Sequence, residues 1–391
     1  MLFISYKMVI NELLVYTHKI MLKNTPEYIP PTDSPNHPEK NSPADGKVVN
    51  AQNKITMQDI ANLVGVSRIT VSKYFNGNLS IKAETRKLIE KVCADLNYIP
   101  DQNAVRLVKG KANLIGVVIP VLSEPFYAEV LNVIGFEAAK LGLRVIIFCS
   151  YNDPAREAAA LLALRATKAQ GVIITPVFSE ENAELLKKLG NEMKIIFLDS
   201  YITPNCHFVM NDNLQSTGLQ TRYMLSRGHQ PAFLAAPPVA NPSGPQRVAG
   251  YLRAMQEACC TPYLVPLNNV EATWDFEGFA MHHTLNMLGT GEWEKSGRDA
   301  LICATDRLAI GAMAAFRKFG LEPGRAVAFA GHDDIPGCEY MHPSLTTVKQ
   351  DVTSIGRAVI EFLKTDESTF TSKDPYFQRI IPASLVIRES A

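Results

Sequence analysis

Paired cysteines are missing: the seven, at 93, 149, 206, 259, 260, 303 and 338, are odd in number and include no Cys-x-x-Cys spacing. That excludes a disulfide framework or a zinc ribbon and predicts reduced thiols in a cytoplasmic protein. Net charge is missing as well, with 39 Lys+Arg balancing 39 Asp+Glu. No apolar run reaches membrane-spanning length, because Lys7, Glu12, His18 and Lys19 interrupt residues 1–22. Neither a signal-peptide core nor a small-residue cleavage site is evident, so no membrane partner is expected. A Gly-x-Ser-x-Gly elbow, a Gly-x-x-x-x-Gly-Lys-Ser/Thr loop and His-Glu-x-x-His are all absent. Adjacent His282 and His283 point to different helix faces and cannot chelate one ion together. The sequence therefore predicts no catalytic residue, no metal and no cofactor. What remains is an ordinary globular composition over 391 residues, 47% hydrophobic and 8% aromatic, enough for two or three domains with cores of their own.

A balanced total hides an uneven distribution. Residues 54–111 hold ten bases against five acids, and the longer remainder compensates. A compact basic module joined to a mildly acidic one suggests a polyanion partner for the first alone. Ahead of it, six prolines (26, 30, 31, 35, 38, 43) among polar residues read as linker. Residues 1–53 are thus expected to be a disordered or dispensable leader, or alternatively an extra interaction helix.

The basic module, taken as residues 54–99, opens with a helix signal. Thr56 suits an N-cap, and Met57, Ile60, Ala61 and Val64 recur at i, i+3, i+4 and i+7 as one buried stripe. Gly65 supplies the left-handed turn, Val66 plugs the corner and Ser67 caps a second helix. With Val71, Tyr74 and Phe75 inward, Arg68, Ile69, Ser72 and Lys73 are left outward. This is the pattern of a helix-turn-helix, whose second helix reads the major groove. Arg68 and Lys73 could each bond guanine and Ile69 a thymine methyl. Thr56, Thr70 and Asn76 suit phosphate contacts. The same pattern would also fit a plain helical hairpin with a solvated charged face. A third helix is expected with Ser80 as its cap and Leu88, Ile89, Val92 and Leu96 on its inner face.

Tyr98-Ile99-Pro100 stops that helix, and residues 100–111 hold a stretch too short to be helical alone, with Ala104, Leu107 and Val108 on one side. Two copies pairing on DNA would stabilise it, and Leu107 would suit a wedge into a minor-groove step; a plain linker is the alternative. Together, Ile60-Ala61…Val64-Gly65-Val66-Ser67…Thr70-Val71-Ser72 and Leu96-Asn97-Tyr98-Ile99-Pro100 resemble the headpiece and hinge of the LacI/GalR family of bacterial transcription regulators. The resemblance runs through the rest of the chain. It implies that Leu107 takes the place of the intercalating hinge leucine, and Arg68, Ile69 and Lys73 the base-reading positions.

From residue 112 onward short β-branched runs alternate with helical stretches. Leu114–Ile119, Arg144–Cys149, Gly171–Thr175 and Ile195–Leu198 read as buried parallel strands, then Ala232–Ala236, Ala300–Ala304 and Ala326–Ala330. Helices near 125–141, 154–169, 180–190, 214–227, 245–259 and 306–319 connect them. An all-α headpiece followed by a two-lobed α/β core with two doubly wound parallel sheets is the expected fold, and ligands sit at the carboxyl ends of such strands. The family resemblance implies the same core, like a periplasmic sugar-binding protein. The first lobe is expected at about 112–212 and 344–371, the second at about 213–343 and 372–391.

Polar residues at those strand ends are the ligand candidates: Asp199, Thr305, Asp306, His332, Asp333 and Asp334, with Arg247 on a following helix. Acids and arginine hydrogen-bond sugar hydroxyls, and Phe126 or Trp274 could stack on the sugar's C–H face. Each has a plainer role open to it: Asp306 as a helix cap, Asp334 in a turn, Trp274 in the core, Phe126 between the lobes. By resemblance Asp199, Arg247, Trp274, Thr305, Asp306 and Asp333 fall on effector-pocket positions. Thr305-Asp306 and His332-Asp333 stand where the family often has Asn-Asp and Tyr-Asp. The implied protein is a homodimeric repressor of a carbohydrate-utilisation operon, released from a palindromic operator by a sugar or sugar derivative. A regulator with a nucleobase or other metabolite as corepressor, and a solute-binding protein with an inactive headpiece, are the alternatives.

Overall fold

The computed structural model describes residues 55–75, 80–98, 113–177, 179–237, 243–267, 273–371 and 375–391. The leader 1–53, Asn76, Ala104 and Leu107 lie outside the described residues. The chain forms two units, 1–108 and 109–391.

Three helices make up the described part of the first unit: α1 (Met57–Val64), α2 (Arg68–Phe75) and α3 (Ala83–Asp95). A reciprocal capping box starts α1, the Thr56 hydroxyl accepting from the Asp59 N–H while the Thr56 N–H donates to the Asp59 carboxylate at 2.8 Å. Gly65 ends α1 at φ 73°, where an L side chain would be strained. Ser67 Oγ then accepts from the Thr70 N–H. Met57, Ile60, Ala61, Val64, Val71 and Ile89 form the core, flanked by Tyr74, Phe75 and Tyr98. The expected cap Ser80 stands too early, since Lys82 occupies the N-cap of α3 without a side-chain bond. Leu88 is also not inward but 46% exposed. In so small a unit only a narrow stripe of each helix reaches the core.

The first lobe of the larger unit runs β1 (Leu114–Ile119), α4 (Pro125–Lys140), β2 (Arg144–Cys149), α5 (Pro154–Ala166), β3 (Gly171–Ile174), α6 (Ala183–Gly190), β4 (Lys194–Leu198) and β5 (Phe208–Asn211). The second contains α7 (Asn213–Ser226), β6 (Pro231–Leu234), α8 (Ser243–Glu257), α9 (Phe276–Gly289), the short α10 (Glu292–Ser296), β7 (Ala300–Cys303), α11 (Asp306–Lys318) and β8 (Ala328–Ala330). The chain ends with β9 (Thr347–Lys349), α12 (Val352–Lys364), β10 (Gln378–Ile381) and β11 (Ser384–Val386).

β1 shows why the first sheet is covered on both faces: Ile115, Val117 and Ile119 enter one apolar cluster, Leu114 and Val118 the other. Strand order is β10-β5-β4-β3-β1-β2, all parallel. β2 is not the buried strand its composition predicts. It is the sheet's edge, with Ile146 and Ile147 37% and 42% exposed, because no strand among the described residues lies beyond it. The second sheet is β6-β7-β8, also parallel, extended by single bridges to Leu264 and Thr346.

The lobe boundaries need correction at the carboxyl end. β10 pairs with β5 in the first lobe's sheet, although 372–391 reads as second lobe. Conversely Leu345 is buried in the second lobe's core, and β9 pairs with β11 while bridging Asp333 to Lys349. The chain therefore passes between lobes near 212, 350 and 382, places set by long-range pairing that local composition does not encode.

Candidate functional site

Two surfaces collect the polar side chains singled out above. On the headpiece, α1 buries its apolar stripe, and the turn at Gly65 presents α2 with Arg68, Ile69 and Lys73 exposed. Ile69 is 67% exposed, a large apolar side chain without a core partner. Thr70 is half-buried, its hydroxyl 3.0 Å from that of Ser67. Thr56 is exposed, and its hydroxyl also serves the capping box. The ridge offers two flexible cations around one methyl-rich group, a fit to base edges in the major groove.

The second surface lies where the two sheets direct their strand ends toward each other. Asp199 follows β4 with φ 63°, and Asp333 and Asp334 follow β8 with φ 115° and 55°. Left-handed backbone at three non-glycine residues costs each roughly 1–3 kcal/mol, strain of the kind held at binding sites. Gly331 precedes them because a Cβ there would collide with the Asp306 carboxylate.

Around Asp333 the second lobe is wired tightly. Arg247, on α8, donates Nε to Asn213 Oδ1 at 3.1 Å, Nη1 to the Ala304 carbonyl at 2.5 Å and Nη2 to Asp333 Oδ1 at 3.3 Å. Gln350 Nε2 donates to the same Asp333 oxygen at 2.7 Å, and His332 Nδ1 lies 2.7 Å from it. Burial works to raise the Asp333 pKa, but Arg247, His332 and Gln350 together hold it below the usual carboxylate range. Burial, then Arg247, depresses His332 to about 4, so the imidazole is neutral at pH 7. Its Nε2 lies 2.9 Å from Ser216 Oγ. Ser216, His332 and Asp333 thus follow the order of a hydrolase triad, but Ser216 and His332 are 0% exposed. A sealed hydroxyl meets no substrate; the chain of contacts orients Asp333.

Thr305 and Asp306 divide two roles. Thr305 is the N-cap of α11, its hydroxyl accepting from the Leu308 N–H at 3.2 Å, so the cap is not Asp306. Asp306 is fully buried and accepts from Thr347 Oγ1 at 2.5 Å and the Ile335 N–H at 2.9 Å, fastening α11 to the segment leading between lobes. Burial, then the charge of Asp333, raises its pKa.

From the first lobe come Phe126, Tyr127 and Asp199. Phe126 is buried in that lobe's core and packs edge-on to Tyr127 with centroids 5.3 Å apart. Tyr127 donates to Asp199 Oδ2 at 3.2 Å. Trp274 is half-buried, stacks on Phe276 at 5.7 Å and packs against both lobes' apolar clusters. A direct ionic tie also crosses between lobes: Arg307 Nη1 donates to Glu124 Oε2 at 3.0 Å, while its other nitrogens hold Glu277 at 2.8 and 2.5 Å. Burial and then Asp333 push the Glu124 carboxyl up to about 7, against the pull of Arg307.

The structure thus brings Asp333, Arg247, Thr305 and Asp306 together in one lobe and Phe126 with Asp199 in the other, Trp274 touching both cores. Asp334 pairs with Arg388 at 2.7 Å and shares with Asp333 a cavity of about 230 Å³ that Glu129, Lys349 and Gln350 also line. Sequence reasoning missed Tyr127, Asn213, Glu277, Arg307 and Gln350. Arg307 carried a signal, since a cation in the first turn of a helix is unusual without a partner. Among the described residues no group of His, Cys, Asp or Glu could hold a metal, and no helix is long and apolar enough to cross a membrane.

A helix-turn-helix unit followed by a two-lobed core with a polar cleft defines a class of ligand-responsive regulator. Comparison with known proteins agrees: residues 56–101 match the bacterial regulatory proteins of the lacI family, and residues 112–366 the periplasmic binding proteins and sugar binding domain of the LacI family. The chain belongs to the LacI family of DNA-binding transcriptional regulators. It is 28% identical to the lactose operon repressor of Escherichia coli K12, covering 86% of this chain and 90% of that protein. With the ribose operon repressor of Haemophilus influenzae the identity is 26%, over 86% and 98%. Among solved structures, the Lac repressor bound to ONPG in its repressed state is similar with a TM-score of 0.74 and 26% identity, over 87% of this chain and all of that one. The Lac repressor dimer bound to operator and the anti-inducer ONPF gives 0.73 and 26%, over 86% and 99%. These relatives are repressors, not enzymes.

Proposed function

We propose that this protein represses a carbohydrate-utilisation operon, binding a palindromic operator as a homodimer and leaving it when a sugar or sugar derivative occupies the cleft. The observation that carries the reading is the rigid Arg247–Asp333 pair, fixed by Asn213, His332 and Gln350, together with the Trp274 indole that packs on the cores of both lobes. Oriented donors and acceptors next to an aromatic face suit a polyhydroxyl ring. Arg68, Ile69 and Lys73 read bases, while Thr56, Thr70 and Asn76 contact phosphates. Ala104 and Leu107 belong to the hinge, Leu107 as the minor-groove wedge. In the cleft, Asp199 and Asp333 accept from hydroxyls, Arg247 donates, and Phe126 and Trp274 supply apolar contact. Thr305 and Asp306 hold the frame.

The apolar edge strand β2 suits a second copy, which would cover Ile146 and Ile147. Ligand that binds the closed core more tightly than the operator-competent one shifts the equilibrium away from DNA. Operator sites selected from random duplexes, followed by gel shifts with a panel of sugars, test the reading. Release of the duplex by a sugar is expected. Tighter binding would reverse the sign to corepression, and indifference to every small molecule would reject effector control.

A further inference from the structure

Resting on the cleft being the effector site, we propose that the effector carries no negative charge, because the cleft's own carboxylates already pair with the arginines that a phosphate or a sugar acid would need. Helix N-termini are the natural docking points for such anions, since their free N–H groups and dipole favour negative charge. Two of the helices that begin beside this cleft carry an acidic residue at their start, which sets a carboxyl group near each N-terminus. Glu124 is the N-cap residue of α4, and Asp306 is the first residue of α11, its carboxylate buried.

The charges of the two arginines are already paired. Arg307 is held from both lobes, by Glu124 at 3.0 Å on one side and by both oxygens of Glu277 on the other, with its guanidinium 5.3 Å over the Phe276 ring. Its side chain is only 13% exposed. Arg247 donates three hydrogen bonds inside the second lobe, one of them to Asp333. Asp199, Glu277 and Asp333 alone outnumber the two arginines, even with Glu124 and Asp306 held partly protonated by burial, and His332 adds no charge at neutral pH. The crowding is visible in Glu124, whose ionisation burial and the Asp333 charge both oppose.

An entering phosphate would have to break the Arg307 clamp or sit among carboxylates at low dielectric, where like charges repel strongly. Hydroxyl groups meet no such barrier. They donate to Asp199 and Asp333 and leave the Glu124–Arg307 tie in place, so the lobes can stay joined around a neutral ring.

The test is a matched panel on the full-length protein, read by thermal shift, calorimetry and operator release. Suitable probes are glucose, galactose and ribose, their 6- or 5-phosphates, glucuronate and galacturonate, and glucosamine. Binding is expected from a neutral or amino member at least tenfold tighter than from its phosphorylated or acidic counterpart. A phosphate or acid binding tenfold tighter than its neutral parent would overturn the proposal while leaving the effector site intact. No response to any probe would remove the site itself, and the proposal with it. Glu124→Gln combined with Glu277→Gln frees Arg307 and is expected to move the phosphate-to-neutral affinity ratio at least tenfold toward phosphate. Glu277→Gln alone, at a half-exposed position, gives the same direction of shift should the double variant not fold. An unmoved ratio in a folded variant would also overturn it.

Discussion

The headpiece and the cleft handle charge in opposite ways. Arg68 and Lys73 stand in solvent on α2, anchored only by the backbone of a helix whose other face is buried. Arg247 and Asp333 are 9% and 7% exposed at their side chains and are braced by partners from α7, the end of β7 and the segment at Gln350. Solvated cations cost little in the free protein and adapt to a long polyanion. Buried ones fix a geometry in advance, which a small ligand with few contacts requires. One chain thus carries an adaptable reader and a rigid receptor, and substitutions should separate them.

The largest effect is expected from Arg247→Ala, which leaves Asp333 buried beside nothing of opposite charge. A loss of about 3–5 kcal/mol in core stability should follow, measurable by denaturant unfolding. A variant as stable as the parent would erase the contrast. Next, Arg68→Ala with Lys73→Ala should lower operator affinity about 100-fold, from two base contacts of ~1–3 kcal/mol each. Its unfolding free energy should stay within about 0.5 kcal/mol of the parent, as exposed sites do. Loss of stability instead would mean these side chains brace the headpiece.

A pH effect of comparable size belongs to the cleft alone. Free histidine titrates near 6.5, and His332 is held down at about 4. The unfolded chain therefore takes up this proton first, so stability present above pH ~6.5 is lost as the pH falls toward 4. At about 1.4 kcal/mol per pH unit the full effect is roughly 3.5 kcal/mol. Glu124 slopes the other way, so the measurement is the difference between parent and His332→Gln across pH 4–7. Parallel curves would show that the imidazole is not held neutral by the fold. Smallest, Thr56→Ala should cost the headpiece about 1 kcal/mol through its lost capping box, leaving the core's melting unchanged.

The same contrast explains what the sequence could disclose. In the headpiece Thr56, Gly65 and Ser67 lie within one short stretch, so cap, turn and stripe sit side by side in the text. β1 was legible to the residue because five apolar side chains around one glycine have one reading between two layers of helices. At the cleft, strand-end position pointed to Thr305 and Asp333, and the helix start after a Pro/Gly-rich loop to Arg247, residues that the fold brings together. It could not find Glu124, whose partner Arg307 lies 183 residues away. β5 and β10 were hidden for a related reason: each is four residues long, and their pairing joins Phe208 to Gln378 across the whole second lobe. Helix α12 does carry a local signal, in Ile355, Ala358, Val359 and Phe362.

Trp274, resting on both halves of the core, has a practical counterpart in the chain's other indole. Trp293 is 4% exposed within the second lobe and edge-on to Phe316, so it sees the same surroundings whichever way the halves lie. The molecule consequently carries a sensor lamp and a reference lamp for ultraviolet excitation. Emission during a titration reports closure directly, with no dye attached and no DNA present.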